Sequence, residues 1–432
     1  MCRAGGVRVR LTYVSSACTV IEYNGVKVLT DPWLVDGAYM GAWYHNPPLT
    51  VQPEDFHDCQ YIYLSHIHPD HTDLATLKRL NKQSVVLLAP YVDDYLRKIV
   101  EGRKFPVRVL DHGVPYPLAP DFTIEIRAAD NCNPQACGQW IGCPVPNVKD
   151  RTAQIDSLAV FAGGGKTIWN TNDCPYRLAS TALCELHGRY GRPDLLCVGY
   201  GGAGPYPQCF PGVNGTAEAS RKMGNGLEQM AAYLSALTPK RYLPFAGQYW
   251  LAGKLGQLNK WRGVPELEDL HSLYGDDPRM VLLNRSGWYD FDTEAQDAPF
   301  RPVPLHEKLS YDMALRQRRM DYEDDPMPTA EHLADAFDAA VQSSTARWAR
   351  RHLHADWAVH FGPERNYGWF TVPLGSSPTK SLQITLDARL FLRLLTRRAH
   401  WNQAEVGSHL TYHRTPDTYE RTPYHMLCYF HQ

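Results

Sequence analysis

Tyr61-Ile62-Tyr63-Leu64-Ser65-His66-Ile67-His68-Pro69-Asp70-His71-Thr72-Asp73 is the stretch on which the reading of this chain turns. It opens as an apolar run, Tyr61 to Leu64, with the length and composition of a buried strand. It closes on three histidines and an aspartate packed into six residues. Imidazole nitrogens and carboxylate oxygens at that density make a set of metal donors. The competing reading, a polar loop with scattered histidines, leaves both the spacing and the preceding strand unexplained. His66, His68, Asp70 and His71 are therefore the first expected metal ligands, with Asp70 also a candidate catalytic base.

The bulk composition narrows the class. At roughly 100–200 residues per domain, the 432 residues allow two or three domains with ample core. Hydrophobic residues at 44% and charged residues at 21% are those of a globular chain. A net charge of −2 gives no electrostatic case for nucleic acid or an anionic membrane. No apolar run approaches the ~20 residues of a membrane span, and the first residues lack the apolar core of a signal peptide. Eleven cysteines, an odd number scattered through a large chain, fit reduced thiols in a cytoplasmic enzyme better than a disulfide framework.

Outward from the motif, Val7 to Tyr13 alternates with period two, Cys18 to Tyr23 reads as its partner, and Asn24-Gly25 is a type I′ hairpin signal leading into Val26 to Leu29. An aromatic, glycine-containing loop follows Asp31-Pro32-Trp33. Its Trp33, Tyr39 and Trp43 either line a substrate pocket or pack the loop onto the domain. Beyond the motif, helices are expected over Leu74 to Leu80 and Asp93 to Val100. Strands are expected over Ser84 to Ala89, Val107 to Leu110, Phe122 to Ala128, Ile155 to Phe161, Thr167 to Thr171 and Asp194 to Gly199. Strand–helix alternation with hairpins suits an α/β sandwich. Gly201-Gly202-Ala203-Gly204, followed by Pro205 and Tyr206, allows close approach of a substrate to backbone, which places Gly202 and Tyr206 among the pocket candidates. Glu218 to Leu237 reads as a helix interrupted at Gly224 and Gly226. Asn284 to Phe291 closes the first domain, and Asp321 to Pro328 reads as a linker or surface loop. Ala330 to Leu353 and Ala388 to Arg397 are expected helices, with Ser381 to Leu386 a strand. The expected division is a metal-binding catalytic domain, 1–292, and a C-terminal α+β domain, 293–432, packing on the site. Cys132, Cys137 and Cys143 lack the Cys-x-x-Cys spacing and the nearby histidine of a structural zinc site.

His66-x-His68-x-Asp70-His71 resembles the metal-binding signature of the metallo-β-lactamase fold, and the implied architecture is its αββα sandwich with a C-terminal α+β extension. On that resemblance, Asp173, at the end of Thr167 to Thr171, takes the place of the bridging aspartate and is a candidate ligand and catalytic residue. Most hydrolases of the fold have a third histidine near Ala129-Asp130-Asn131, and a last one near Phe245-Ala246-Gly247. Neither is present. Asp130 is the ionisable group at the first position, as a ligand, a hydrogen-bond partner of one, or a turn former. Asn170-Thr171-Asn172-Asp173-Cys174, Pro244-Phe245-Ala246-Gly247 and the tail residues Gly407, Arg414, Pro416-Asp417 and Tyr419 together resemble the catalytic core of the CMP-N-acetylneuraminate hydroxylase family. That family carries a Rieske iron–sulfur domain, whose centre needs two cysteines and two histidines in a pair of short motifs, and nothing before residue 8 could supply one. The resemblance therefore implies the fold and metal site, with electrons drawn from a separate protein or from the substrate.

Two imidazoles and a carboxylate with open positions are the donor set of non-haem iron oxygenases. The reading is an iron-dependent oxidoreductase, with one or two ions, acting on a polar small molecule; manganese and zinc are the alternative metals. The competing function is a metal-dependent hydrolase attacking an ester, amide or phosphodiester through metal-activated water. Arg365, Tyr367 and Trp369 either reach over the site or pack an interface. His409, His413, His425 and His431 are the tail histidines available as further ligands.

Overall fold

Alternation builds the first sheet. In β1 (Val9–Ser15), Val9, Leu11 and Tyr13 are buried while Arg10 and Thr12 are half-exposed on the other face. β2 (Cys18–Tyr23) and β3 (Val26–Thr30) are joined at Asn24 and Gly25, with φ of 47° and 85°, the turn geometry that this pair favours. The computed structural model describes residues 8–91, 93–129, 156–353, 355–365 and 367–432. β5 (Tyr61–Tyr63), β6 (Val85–Leu88) and β7 (Val107–Val109) extend the sheet in parallel from β3. On the other side β15 (Gly287–Asp290) and β16 (Ala295–Gln296) complete an order of β16-β15-β1-β2-β3-β5-β6-β7. The boundary expected at residue 292 thus falls just ahead of β16, the last strand of this sheet.

The second sheet contains β8 (Tyr116–Ala119), β9 (Phe122–Ala128), β10 (Ser157–Gly163), β11 (Lys166–Asn170), β12 (Leu195–Gly199) and β13 (Arg241–Phe245), in the order β13-β12-β11-β10-β9-β8. Leu11, Ile21, Val28 and Tyr63 from one sheet meet Ile124, Ile126, Phe161 and Ile168 from the other in a single core. Ile62, Leu64, Val86 and Leu88 face outward under the helices Leu74–Arg79 and Tyr95–Glu101. The helices Tyr176–Tyr190 and Gly215–Leu237 pack on the second sheet through residues such as Leu178, Leu183, Met230 and Tyr233. The result is the αββα sandwich.

Two expectations are corrected here. Gly215–Leu237 runs unbroken through Gly224 and Gly226. A Cβ at Gly226 would lie 2.5 Å from the Tyr200 carbonyl oxygen, so glycine there serves close helix–strand packing rather than a break. The acidic stretch 321–328 is no slack linker: Asp321–Asp324 forms a 3-10 turn that buries Tyr322, and Asp325 pairs with Arg393 at 2.6 Å.

β4 (Trp43–Tyr44) and β14 (Trp250–Leu251) make a short ribbon. The C-terminal lobe is a four-stranded sheet, β18 (Phe370–Pro373), β17 (Trp357–Pro363), β19 (Lys380–Leu386) and β20 (Thr411–Thr415), with helices Ala330–Val341, Ser344–His352 and Ala388–Leu395. Trp33, Tyr39 and Trp43 belong to the same apolar cluster as Tyr322, Phe361 and Phe391. The aromatic loop is therefore the seam between sandwich and lobe.

Candidate metal centre

The C-terminal ends of β1, β3 and β5 lie at one edge of the sandwich, and those of β11, β12 and β13 at the same edge. The Ala246 amide donates to the Ser16 carbonyl there at 2.9 Å. The histidine motif follows β5 directly. Amides of His71 and Thr72 both bond back to the His68 carbonyl, at 3.0 and 2.8 Å, and Thr72 Oγ1 donates to the His66 carbonyl at 2.6 Å. Asp73 ends the turn as an N-cap, accepting from the amides of Ala75 and Thr76.

Each histidine is anchored on one ring nitrogen and turns the other inward. His66 Nδ1 lies 2.9 Å from Ser65 Oγ, His71 Nδ1 lies 2.8 Å from Asp31 Oδ2, and His68 Nε2 lies 3.2 Å from Asn402 Oδ1. Asp31 is itself fixed by the Ser65 amide at 2.7 Å and hydroxyl at 2.6 Å. Facing inward, His66 Nε2 and His68 Nδ1 are 2.8 Å apart, while His71 Nε2 is 3.3 Å from Asp173 Oδ2 and 3.5 Å from Asp70 Oδ2. Donor atoms of His66, His71 and Asp173 all fall within 4.8 Å of one another. Outer partners of this kind set tautomer and ring orientation in metal sites. The donor set fits a metal, and the arrangement is a His/His/Asp metal-binding cluster.

Asp156 is a site residue that the sequence reading passed over as the start of a strand. It immediately precedes β10, is buried, and brings Oδ1 to 3.7 Å from His66 Nε2. The two sheets are tied together at this point: Ser157 Oγ donates to the Ser65 carbonyl at 2.7 Å and sits 2.9 Å from Tyr63 OH. Asn172 then secures the Asp173 turn, donating to the Ser157 carbonyl at 3.0 Å from a left-handed backbone with φ 46°. A carboxylate standing one residue ahead of an apolar run was the available signal. Asp130, with Cys132, Cys137 and Cys143, lies outside the described residues. At the position of the missing last histidine, Phe245 is buried in the core between the sheets.

Electrostatics divide the imidazoles. Burial holds His66 well below the ordinary histidine value and lowers His68 too, which leaves their lone pairs free. Burial also opposes charge on His71, yet Asp173, Asp70 and Asp31 outweigh it and hold that ring well above the usual range. Asp173 shows the reciprocal effect: burial works to raise it, and His71 brings it below a normal carboxyl. Burial, reinforced by Asp173, pushes Asp156 up to about 7.

The C-terminal lobe reaches the cluster at two points. One is Asn402 on His68. The other is His409, whose Nε2 lies 2.7 Å from the carbonyl of Tyr39 in the aromatic loop, the residue whose hydroxyl donates to Asp70 Oδ1 at 2.7 Å. A Cβ at Gly407 would come within 2.9 Å of both Tyr39 Cβ and the His409 ring, so this seam requires glycine. His409 is buried behind Tyr39 rather than facing the cluster; His413 is exposed on β20, His425 lies against Tyr429, and His431 sits at the end of the chain. Trp33 and Trp43 are sealed in the seam, Gly202 is exposed, and Tyr206 spends its hydroxyl on Glu218 at 2.7 Å. Tyr367 donates to the Pro328 carbonyl at 2.8 Å within the lobe, and Trp369 is exposed.

Known proteins share parts of this chain. A Mycolicibacterium smegmatis protein named for a Rieske 2Fe-2S iron–sulfur centre is 28% identical over 277 residues, covering 62% of this chain and 47% of its own. The cytidine monophosphate-N-acetylneuraminic acid hydroxylase of Xenopus laevis is 34% identical over 266 residues, covering 58% of this chain and 39% of its own. The chain thus spans about half or less of the length of the curated relatives it matches. Among solved structures, an isothiocyanate hydrolase from Delia radicum gut bacteria superposes with a TM-score of 0.45 at 15% identity, over 65% of this chain and 98% of that one. Residues 10–246, from β1 through β13, match the model of the beta-lactamase superfamily domain. With the His66–His71 motif at the edge of an αββα sandwich, the chain belongs to the metallo-β-lactamase superfamily.

Proposed function

We propose that this chain is a non-haem iron oxidoreductase that uses O2 on a polar small molecule, with His66, His68, Asp70, His71, Asp156 and Asp173 holding one or two ions. One observation carries the reading: the inward nitrogens of three anchored imidazoles gather at one place with the carboxylates of Asp70, Asp156 and Asp173. Zinc hydrolases lean on nitrogen ligands, whereas carboxylate-rich sets that mix imidazole with oxygen suit iron and manganese. His66, His68, His71, Asp70 and Asp173 would hold the metal, with Asp156 beside His66. When bound, iron supplies the one-electron chemistry that O2 requires. The protein's part is to fix the donors and to exclude water. Ser65 and Asp31 orient two rings from beneath, Asn402 orients the third, and Tyr39 holds Asp70. The electrons would come from a separate donor protein or from the substrate. Similarity to the Rieske-named and hydroxylase relatives, over the share of their length that is matched, supports this choice.

The test is elemental analysis of the purified chain, followed by O2 uptake with ferrous iron and a chemical reductant. We expect iron to bind at one to two equivalents and O2 consumption to depend on Asp173. Zinc at full occupancy, with no O2 uptake and with turnover of ester or phosphodiester probes, would replace this reading with the hydrolase.

A further inference from the structure

The end of the sandwich away from the metal centre has a recess of its own. β11, β12 and β13 run side by side in parallel, and the metal centre sits beyond their C-terminal ends. Their N-terminal ends gather basic residues. Lys166 opens β11, Arg192 stands three positions before β12, Lys240 directly precedes β13, and Arg241 is its first residue. Backbone bonds fix these starts against one another: the Asp194 amide donates to the Thr167 carbonyl at 3.1 Å, Lys240 to Pro193 at 2.9 Å, and Arg241 to Asp194 at 3.1 Å. The four cations line one open cavity of about 260 Å³, whose inner wall is the buried rings of Tyr289 and Phe291, 5.1 Å apart. At about 3.3 Å per residue, the five residues of β11 set this cavity about 15 Å from the metal-centre edge.

Two carboxylates share the cavity, and both are spoken for. Asp194 Oδ1 pairs with Lys240 at 2.7 Å, and its Oδ2 accepts from the Thr167 amide at 2.8 Å. Glu294 Oε2 pairs with Arg241 Nη2 at 2.9 Å. Lys166 and Arg192 have no carboxylate partner among the described residues; Arg192 gives Nη2 to the Pro239 carbonyl at 3.2 Å. Both side chains reach solvent, Arg192 exposed and Lys166 half-buried, so a ligand can come to them. Four cations against two carboxylates leave a surplus of two positive charges, on a chain whose net charge is −2. A recess lined by one sign of charge with low-dielectric walls concentrates ions of the other.

We propose that this recess binds a phosphate-type dianion, the phosphate group of a small monoester or free phosphate, between Lys166 and Arg192 with Lys240 and Arg241 flanking it. The surplus of two charges matches a dianion. A guanidinium offers a planar fork to two phosphate oxygens, and an ammonium adds a point charge. A cavity of about 260 Å³ falls just under the ~300–1,000 Å³ of sites for drug-sized ligands, which holds the occupant to a phosphate with at most a short organic group against the two rings. The site shares no residue with the metal centre, and its occupant takes no part in the chemistry there.

The experiment is isothermal titration calorimetry of the full chain at constant ionic strength, with inorganic phosphate, glycerol 3-phosphate and acetate as titrants. We expect a saturable phosphate site that acetate, with its single charge, does not compete for. Whichever of the first two titrants binds tighter identifies the occupant as a monoester or as free phosphate. Lys166→Gln and Arg192→Gln should each weaken binding about tenfold or more, the loss of a hydrogen bond to a charged group, and the double variant should remove it. Neither side chain carries an ion pair among the described residues, and urea midpoints in chloride check that both variants keep the fold. Phosphate held at the metal centre instead would survive the double substitution. Undiminished binding by the double variant, no binding by the wild type, or acetate binding as tightly as phosphate overturns the proposal.

Discussion

Asp31 is fully buried and holds a left-handed backbone, φ 40°, to accept from the Ser65 amide and hydroxyl and to face His71 Nδ1. It touches no inward-facing donor atom, yet it sets the tautomer of His71 and, through Ser65, the position of His66. In Asp31→Asn the side chain keeps its shape, loses its charge, and presents an NH2 where an acceptor is needed. We expect metal affinity to fall about 10–100-fold, the range seen when such supporting partners are changed. Chelator competition measures this, with circular dichroism to show that the fold is kept. The same residue scale shows what the sequence could and could not carry. His66, His68, Asp70 and His71 were legible because their spacing is itself a chemical pattern. Asp173 was legible through the resemblance, as the carboxylate at the end of a strand where that fold carries its bridging aspartate. Asp156 was not, since one carboxylate before an apolar run looks like any strand end until Ser157 is seen tying β10 to Ser65.

Elements were read well where periodicity is local and poorly where tertiary contact decides. The β1–β2–β3 meander follows from alternation plus Asn24-Gly25, and the sandwich follows from the succession of strands and helices. β8, β17, β18 and β20 carry weaker patterns and emerge only from their pairing. The helix Gly215–Leu237 gives the sharpest contrast, because its two glycines look alike in sequence and differ in surroundings. A Cβ at Gly224 meets nothing within 4 Å, whereas one at Gly226 runs into the Tyr200 carbonyl. Gly224→Ala should therefore stabilise by up to about 1 kcal/mol, the helix-propensity gain. Gly226→Ala should destabilise by roughly 1–3 kcal/mol, as overpacking outweighs the same gain. Urea unfolding of the two variants reads both signs, and a stabilised Gly226→Ala would mean that the helix does not press on β12.

At the scale of the whole molecule, the sandwich and the C-terminal lobe meet in a seam whose polar centre is His409. Its Nε2 faces the Tyr39 carbonyl at 2.7 Å and its Nδ1 faces Tyr322 OH at 3.1 Å, so the neutral Nε2–H tautomer satisfies both contacts. Burial brings its pKa down to about 4, with Lys254 adding to the effect and the Tyr39 carbonyl and Asp387 opposing it. The unfolded chain, with an ordinary histidine near 6.5, binds the proton more readily than the folded one. Stability from this residue is thus complete above about pH 6.5 and is lost progressively as pH falls toward 4, by roughly 3 kcal/mol in all. His409→Gln keeps a donor for the Tyr39 carbonyl and has no proton to gain. Its stability should fall less steeply than the wild type's between pH 6.5 and 4, whatever its level at neutral pH. The other imidazoles whose pKa the fold lowers, His400 among them, titrate in both proteins and cancel in the difference. Urea midpoints of the two chains at half-unit pH steps make the comparison. Parallel curves would show that the lobe does not depend on a neutral His409. Converging curves would tie closure of the lobe to the backbone of Tyr39, the same residue whose hydroxyl holds Asp70.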